Sequence, residues 1–150
     1  MWELVKTIAI GGLLNVGFIP NSTFLITVSH NGRGIFDCLN GERITRDYEN
    51  VWEFFDDKTG EVIGFDVFTG LKIPTHGLFG DDNLTKTTKD GWKLESHENN
   101  IILIFPNTSQ SEIVGNTEVC ELKAFGFSNN EKFFTIATSC DLKIYKNKND

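Results

Sequence analysis

Phe36-Asp37…Gly41…Ile44, Phe55-Asp56…Gly60…Ile63 and Phe65-Asp66…Gly70…Ile73 are three copies of one nine-residue pattern, Phe-Asp-x-x-x-Gly-x-x-Ile. Each copy is typical of a β-hairpin, in which Phe ends one strand, Gly adopts positive φ in the turn and Ile begins the next strand. The Asp side chain is placed to accept hydrogen bonds from turn amides. We therefore expect three β-turns whose Phe and Ile side chains face the core.

The rest of the chain has the same organisation. Apolar runs of four to eight residues alternate with turns rich in Gly, Asn and Pro, and no stretch has the periodicity of a long amphipathic helix. The 150 residues are the length of one ordinary domain. We predict a single all-β domain spanning residues 1–150, built from short antiparallel strands and hairpins, with a strand over residues 51–55 and loops over 77–89 and 107–116.

Two longer stretches resemble each other and a known family. Residues 17–29 (GFIPNSTFLITVS) and 126–139 (GFSNNEKFFTIATS) are similar to the hairpin of WD-type β-propeller blades. The second continues through Asp141 to Tyr145 like the strand that closes such a blade, and the first continues through Phe36-Asp37 to Gly41 like the turn that follows it. Phe36 and Tyr145 stand where the family has Trp. The resemblance implies either a partial, propeller-like fold or a two-sheet sandwich, and a scaffold used for binding.

The cysteines and histidines have no spacing typical of a metal or disulfide site. No pair forms a C-x-x-C or H-x-x-x-H motif, so we expect no metal and no other cofactor. The cysteines are predicted to be small buried hydrophobic residues in a reducing compartment, without a disulfide. The residues concerned are Cys38, Cys120, Cys140, His30, His76 and His97.

The N-terminal apolar run, residues 7–14, is too short to span a bilayer. The segment before it has one acid and one base, and no small-residue cleavage site follows, which is a poor match to a signal peptide. We therefore expect a cytoplasmic protein that does not associate with membranes.

Acidic residues are concentrated in one part of this acidic chain. Residues 47–66 carry seven acids against one base, a local net charge of −6 beside −7 for the whole chain, and aromatic residues are interleaved with them. Such a composition favours a protein-binding surface with aromatic anchors, whereas the alternative is a solvated acidic face that aids solubility and protects an edge strand. The predicted partner-binding residues are Asp47, Tyr48, Glu49, Trp52, Glu53, Asp56, Asp57, Glu61, Asp81 and Asp82.

Basic residues form no continuous stripe, so direct binding of nucleic acid is disfavoured. The chain's only arginines are Arg33, Arg43 and Arg46. A hairpin in this region would bring Arg33 close to Arg43, and Arg46 is placed to form a local ion pair with Asp47, worth under about 1 kcal/mol if exposed.

No catalytic motif is evident, and we predict that the protein is not an enzyme. Its size, acidity and lack of a catalytic motif resemble, in general type, the small immunity proteins of bacterial contact-dependent growth inhibition systems. That resemblance implies a toxin inhibitor that binds and neutralises a basic, nuclease-type toxin. The alternative is a generic propeller-like protein-interaction module. A hydrolase that uses His30, Asp37 or His76 is the least favoured hypothesis.

Overall fold

The computed structural model describes residues 1–80 and 84–149, and the regular structure in them is almost entirely β. The only helices in these two ranges are single 3₁₀ turns, Val51–Glu53 and Asp66–Phe68, and neither is long or apolar enough to cross a membrane. The predicted all-β class is confirmed. The strands are β1 (Trp2–Ala9), β2 (Leu13–Phe18), β3 (Phe24–Ser29), β4 (Gly32–Asp37), β5 (Arg43–Arg46), β6 (Glu61–Ile63), β7 (Lys72–Pro74), β8 (His76–Gly77), β9 (Lys93–His97), β10 (Asn100–Ile104), β11 (Ser111–Asn116), β12 (Leu122–Phe127), β13 (Phe133–Thr138) and β14 (Asp141–Asn147).

In the part of the chain that the structure describes, the strands form four separate antiparallel sheets, which do not close into a propeller. A five-stranded sheet has the order β5-β4-β3-β2-β8, and a four-stranded sheet has the order β1-β14-β13-β12. A three-stranded sheet, β11-β10-β9, and a two-stranded sheet, β6-β7, complete the set. The N-terminal strand β1 thus lies at the edge of a sheet whose other strands are the last three of the chain.

The two stretches that resemble each other in sequence form equivalent three-stranded units, which we call the first repeat (β2-β3-β4) and the second repeat (β12-β13-β14). Their connecting turns match, because Ile19 N–H donates to Phe24 O in the first and Ser128 N–H donates to Phe133 O in the second, both at 2.8–2.9 Å. Each turn also contains a non-glycine residue with positive φ, Asn21 or Glu131.

The four sheets pack one on the next through three apolar clusters. One cluster joins the two-stranded sheet to the first repeat, a second joins the first repeat to the second, and a third joins the second repeat to the three-stranded sheet. Both faces of the central strands are therefore covered. Accordingly, β3 and β13 are buried at nearly every position and do not alternate between buried and exposed residues.

The three nine-residue copies form turns as predicted, but their isoleucines do not all face the core. Gly41, Gly60 and Gly70 have φ values of 74°, 78° and 82°. Phe36, Phe55 and Ile73 are buried, and Phe65 is half-buried. Ile44 is 50% exposed and Ile63 is 38% exposed, so the prediction is wrong for these two.

Local irregularities explain the two exposed isoleucines. Ile44 lies in a bulge of the β4–β5 pair, where Ile35 opposes Thr45 and Phe36 opposes Arg43, so Ile44 has no partner. In β6 the side chain of Val62 faces the core, which by alternation turns Ile63 outward.

Two predictions of local structure are also wrong. Residues 51–55 are not a strand: Val51–Glu53 is a 3₁₀ turn, and only Phe55 forms a β-bridge, to Val62. Residues 107–116 are not a loop throughout, because Ser111–Asn116 is the edge strand β11. The strand lacks the alternation of apolar and polar residues that indicates a strand, because only Val114 and Gly115 are buried in it.

Cys120 and Cys140 form a disulfide that closes a separation of 20 residues. The prediction that the cysteines are unpaired is therefore wrong for this pair, which joins the start of the second repeat to the turn before β14. Cys38 is free and buried, as predicted. Burial, and secondarily the charge of Asp37, raises the pKa of the Cys38 thiol far above its usual range, so this residue is an unreactive core side chain.

Candidate functional site

Residues 47–80, which we call the outer segment, cover the outer face of the five-stranded sheet. The segment inserts Val51, Phe55, Val62 and Ile73 into the cluster that it shares with the first repeat, and all four are buried. Because the apolar residues face inward, the charged residues between them are left on the surface. Glu49, Glu53, Asp56, Asp57 and Glu61 are all exposed.

A buried arginine fastens the start of the outer segment to the sheet. Arg33 of β4 is only 4% exposed, and its guanidinium donates two hydrogen bonds to the Asp47 carboxylate while its backbone N–H donates a third, 2.8 Å long. The guanidinium also lies 4.0 Å from the ring centroid of Phe54 and 4.7 Å from that of Phe65. These contacts neutralise a buried charge and hold both ends of the hairpin that carries the acids.

Asp47 therefore has a structural partner that the sequence did not reveal. Its side chain is 14% exposed and bonded to Arg33, and not to the adjacent Arg46, so the predicted local Arg46–Asp47 pair is wrong. Arg46 instead lies 4.4 Å from the ring centroid of Tyr48. Tyr48 itself is 75% exposed.

A buried asparagine fastens the end of the outer segment. Asn15 of β2 is fully buried, and its amide donates to Thr75 Oγ1 at 3.1 Å and to Phe79 O at 2.9 Å. Its oxygen accepts a bond from Phe79 N–H. The Thr75 hydroxyl in turn donates to Gly60 O, so the turn of the second nine-residue copy is tied to the same point.

The ring of Trp52 packs against two other aromatic rings, those of Phe55 and Phe79. Its ring centroid lies 5.6 Å from that of Phe79 in an edge-to-face arrangement and 6.1 Å from that of Phe55, and these two rings are themselves 5.8 Å apart. Trp52 is nevertheless 46% exposed. A large ring held in one position with a free face is suited to anchoring a partner, because little side-chain entropy remains to be lost on binding.

The structure brings three of the predicted acids together around one concavity. Glu53, Asp56 and Glu61 line a shallow depression of about 270 Å³ with Phe54 and Lys72. Asp56 closes its turn by accepting a bond from Lys58 N–H, and this bond lowers the pKa of the Asp56 carboxyl. The depression is therefore negatively charged at neutral pH, with one lysine at its edge.

The remaining predicted residues do not join that depression. Tyr48 and Glu49 line a separate shallow surface with His30 and Asn50, and Asp57 lies in the exposed turn after Asp56. Asp81 and Asp82 lie outside the described residues.

Asp37, one of the groups considered for hydrolysis, has a structural role in its turn. The Asp37 carboxylate accepts bonds from Leu39 N–H at 2.9 Å and from Thr23 Oγ1 at 3.3 Å, which is the turn role that its position predicts. Across residues 1–80 and 84–149, no three His, Cys, Asp or Glu side chains are grouped so as to hold a metal ion. His30 is exposed at a hairpin tip.

The sequence did not reveal that Arg33, Asn15 and Phe79 hold the outer segment in place. The signal that could have identified Arg33 is a charged residue between two glycines in an apolar strand, and for Asn15 it is a lone amide in a strand that is otherwise buried. No protein-family model matches the chain, and no curated protein matches its sequence.

Proposed function

We propose that the protein is a small binding protein whose outer segment engages a basic protein partner, and that it acts as an immunity protein that neutralises a basic, nuclease-type toxin. The observation that carries the proposal is Trp52, half-exposed on a fixed aromatic base among exposed acids. The proposal includes no catalytic activity, no cofactor, no nucleic acid and no membrane as a direct partner.

The charge of the outer segment supports a basic partner. Once Asp47 is neutralised by Arg33, six acids of residues 47–66 remain exposed against Lys58 as the one base. A nuclease cleft is lined with cations that bind phosphate, and an acidic surface both accelerates encounter with such a cleft and competes for it.

The exposed aromatic residues argue against a surface that serves only solubility. Such a surface needs charge alone, whereas Trp52 and Tyr48 expose large rings in the middle of the acids. Tyr and Trp are enriched at the energetic centres of protein interfaces because they bury large apolar areas and keep a polar group available.

A second candidate function is a propeller-like interaction module in some other complex. The two equivalent repeats favour it, since repeated three-stranded units are typical of binding scaffolds. Gene neighbourhood separates the two: a gene for a large secreted toxin directly upstream supports the immunity function, and its absence supports the module.

Cytoplasmic location is part of the proposal and is tested through the disulfide. A reducing cytoplasm would keep Cys120 and Cys140 as thiols, whereas an oxidising compartment would keep the bond. Acid quenching of the cells, followed by alkylation of thiols in denaturant and mass measurement, gives three modified cysteines in the first case and one, Cys38, in the second.

The binding proposal is tested by capturing the partner from the native organism and measuring association kinetics with charge-reversed variants. Glu49→Lys, Glu53→Lys and Asp57→Lys together change the outer segment, and none of these carboxylates has a hydrogen bond or ion pair in the described structure. A matched control reverses three exposed acids elsewhere, Glu98, Glu112 and Glu118, with the same change in net charge.

The outer-segment variant should associate about tenfold or more slowly at low salt, and the control variant should change far less. Trp52→Ala should mainly speed dissociation. Equal slowing by both triple variants would mean that net charge alone matters, and unchanged association of the outer-segment variant would overturn the proposal.

A further inference from the structure

A second concave site, distinct from the outer segment's acidic surface, lies between β1 and the first repeat. It is a cleft of about 410 Å³, bounded on one side by β1 and on the other by β3, β4 and β5. A volume of this size is typical of sites for small molecules and is too small for a folded partner.

The cleft collects positive charge in an acidic protein. Lys6, Arg43 and Arg46 line it, and among the described residues no Asp or Glu does. Arg33 also borders it, but its charge is neutralised by Asp47. Lys6, Arg43 and Arg46 have no carboxylate partner within residues 1–80 and 84–149, so the cleft has three uncompensated cations.

The floor of the cleft contains a glycine in the middle of a strand, at a position with no room for a larger residue. A Cβ at Gly34 would lie 3.0 Å from Thr27 Oγ1 and 3.1 Å from a ring carbon of Phe36, and both of these residues line the cleft. In the second repeat, strand pairing places Ile136 and Lys143 where the first has Thr27 and Gly34. There Ile136 is buried and Lys143 is half-buried. A glycine inside a strand often marks a close approach by a ligand.

Two buried hydroxyls in the cleft donate only long hydrogen bonds to the fold. Thr27 is 3% exposed and Ser29 is 5% exposed. Their hydroxyls donate to Gly34 O and Gly32 O at 3.4 Å and 3.3 Å, long distances for an O–H donor. Ser29 Oγ also accepts a bond from Asn31 N–H at 3.2 Å, so the Thr27 hydroxyl is the one that can turn to a ligand oxygen with little loss.

The cations are held at the rim by their own packing. The aliphatic stem of Lys6 lies against Gly41, where an added Cβ would come within 2.5 Å of Lys6 Cβ. Arg46 is stacked on the ring of Tyr48. The apolar residues Ile8, Ile10 and Phe36 line the remaining wall.

We propose that this cleft binds a small phosphate monoester, with the phosphate between Lys6, Arg43 and Arg46 and the organic group against Ile8, Ile10 and Phe36. Arginine guanidinium groups match phosphate oxygens in bidentate geometry. A phosphate monoester carries nearly two negative charges at neutral pH, which suits three uncompensated cations better than the single charge of a carboxylate does. This site does not depend on the binding role of the outer segment.

The test is a titration of the full-length protein with phenyl phosphate, inorganic phosphate and phenylacetate at constant ionic strength, followed by calorimetry and backbone NMR shifts. Phenyl phosphate should bind more tightly than either of the other two and should shift the amides of Thr27, Gly34 and Arg46. Inorganic phosphate tests the anion alone, and phenylacetate tests a carboxylate with the same ring.

Variants locate the site. Arg43→Gln with Arg46→Gln should weaken phenyl phosphate binding about tenfold or more, and Gly34→Val should block it by filling the floor while keeping the charges. Lys89→Gln with Lys132→Gln, two exposed cations elsewhere, is the control and should leave the affinity unchanged.

The proposal is overturned by any of three results. They are no binding of phenyl phosphate at about 10 mM, equal affinity for phenylacetate, and unchanged affinity in the Arg43/Arg46 variant when its melting temperature matches the parent's.

Discussion

The first and second repeats share one backbone plan but use one buried position in opposite ways. Arg33 pairs with Val28 across β3 and β4, and Leu142 pairs with Ala137 across β13 and β14, so the two residues occupy the same place in their units. Arg33 is 4% exposed and Leu142 is 0% exposed. The arginine binds the outer segment through Asp47, whereas the leucine packs into the apolar cluster between the repeats.

The two repeats differ in what surrounds this position. The second repeat is apolar at this position, is covered by β1 and has its outer end fixed by a disulfide. The first repeat replaces leucine with a paired arginine and a lysine with Gly34, and these changes create both the attachment of the outer segment and the open cleft. The two repeats therefore share their strand pairing and differ in the side chains at these two positions.

The largest effect is expected from making the first repeat like the second by Arg33→Leu. This substitution leaves the Asp47 carboxylate largely buried without its partner and should cost about 3 to 5 kcal/mol of unfolding free energy. Adding Asp47→Leu should recover most of that loss, because replacing a buried ion pair by apolar side chains is often nearly neutral. Urea unfolding of the three proteins measures this, and a loss under about 1 kcal/mol for Arg33→Leu would mean that the pair does not fasten the segment.

Removing the disulfide should affect the second repeat by a somewhat smaller amount. Cys120→Ser with Cys140→Ser releases a loop of about 20 residues and should cost about 3 kcal/mol. Reductant should lower the stability of the parent to that of the double variant and leave the double variant unchanged. If reductant does not change the parent's urea midpoint, the bond makes no contribution in solution.

Gly60 and Gly70 provide a matched pair within the outer segment. Both have φ near +80°, so Ala at either position should cost about 1 kcal/mol in backbone strain. A Cβ at Gly60 would also lie 2.6 Å from Thr75 O, whereas one at Gly70 has no atom within 4 Å. Gly60→Ala should therefore lower the melting temperature clearly more than Gly70→Ala, and equal losses would show that the Gly60–Thr75 contact is not tight.

The smallest effect is a pH dependence at Asp56. Hydrogen bonding from Lys58 N–H lowers the pKa of Asp56 in the folded state, so the stability it contributes is present above the ordinary Asp pKa and is lost as pH falls through the lowered value. Asp56→Asn keeps a side-chain acceptor but does not titrate. The stability difference between parent and variant should shrink from about pH 6 to about pH 3, and a difference that stays constant in urea unfolding would contradict this assignment.

Features that depend on residues close together in the sequence were predicted correctly. The turn glycines, the Asp37 and Asp56 turns and the strands of both repeats follow from residues within a few positions of each other. Features that depend on distant partners were not predictable. Asp47 is 14 residues from Arg33, and Cys120 is 20 from Cys140, so no short pattern records either contact.

The candidate site was predicted in composition but not in arrangement. Trp52 and the acids from Glu49 to Glu61 are exposed, whereas Asp47 is largely buried against Arg33. Which acids share a depression depends on how Arg33 and Asn15 attach the two ends of the outer segment. Ile44 is exposed because a bulge shifts the register by one residue, and a one-residue shift reverses the facing of a side chain without any change in the sequence pattern.

Under the proposed function the outer segment, and no other face of the protein, meets the partner. Hydrogen exchange of the protein alone and with the captured partner measures this residue by residue without any mutation. Amides in residues 47–61 should become protected in the complex, and those in the three-stranded sheet, β9 to β11, should not change. Protection confined to β9 to β11, with residues 47–61 exchanging as in the free protein, would contradict it.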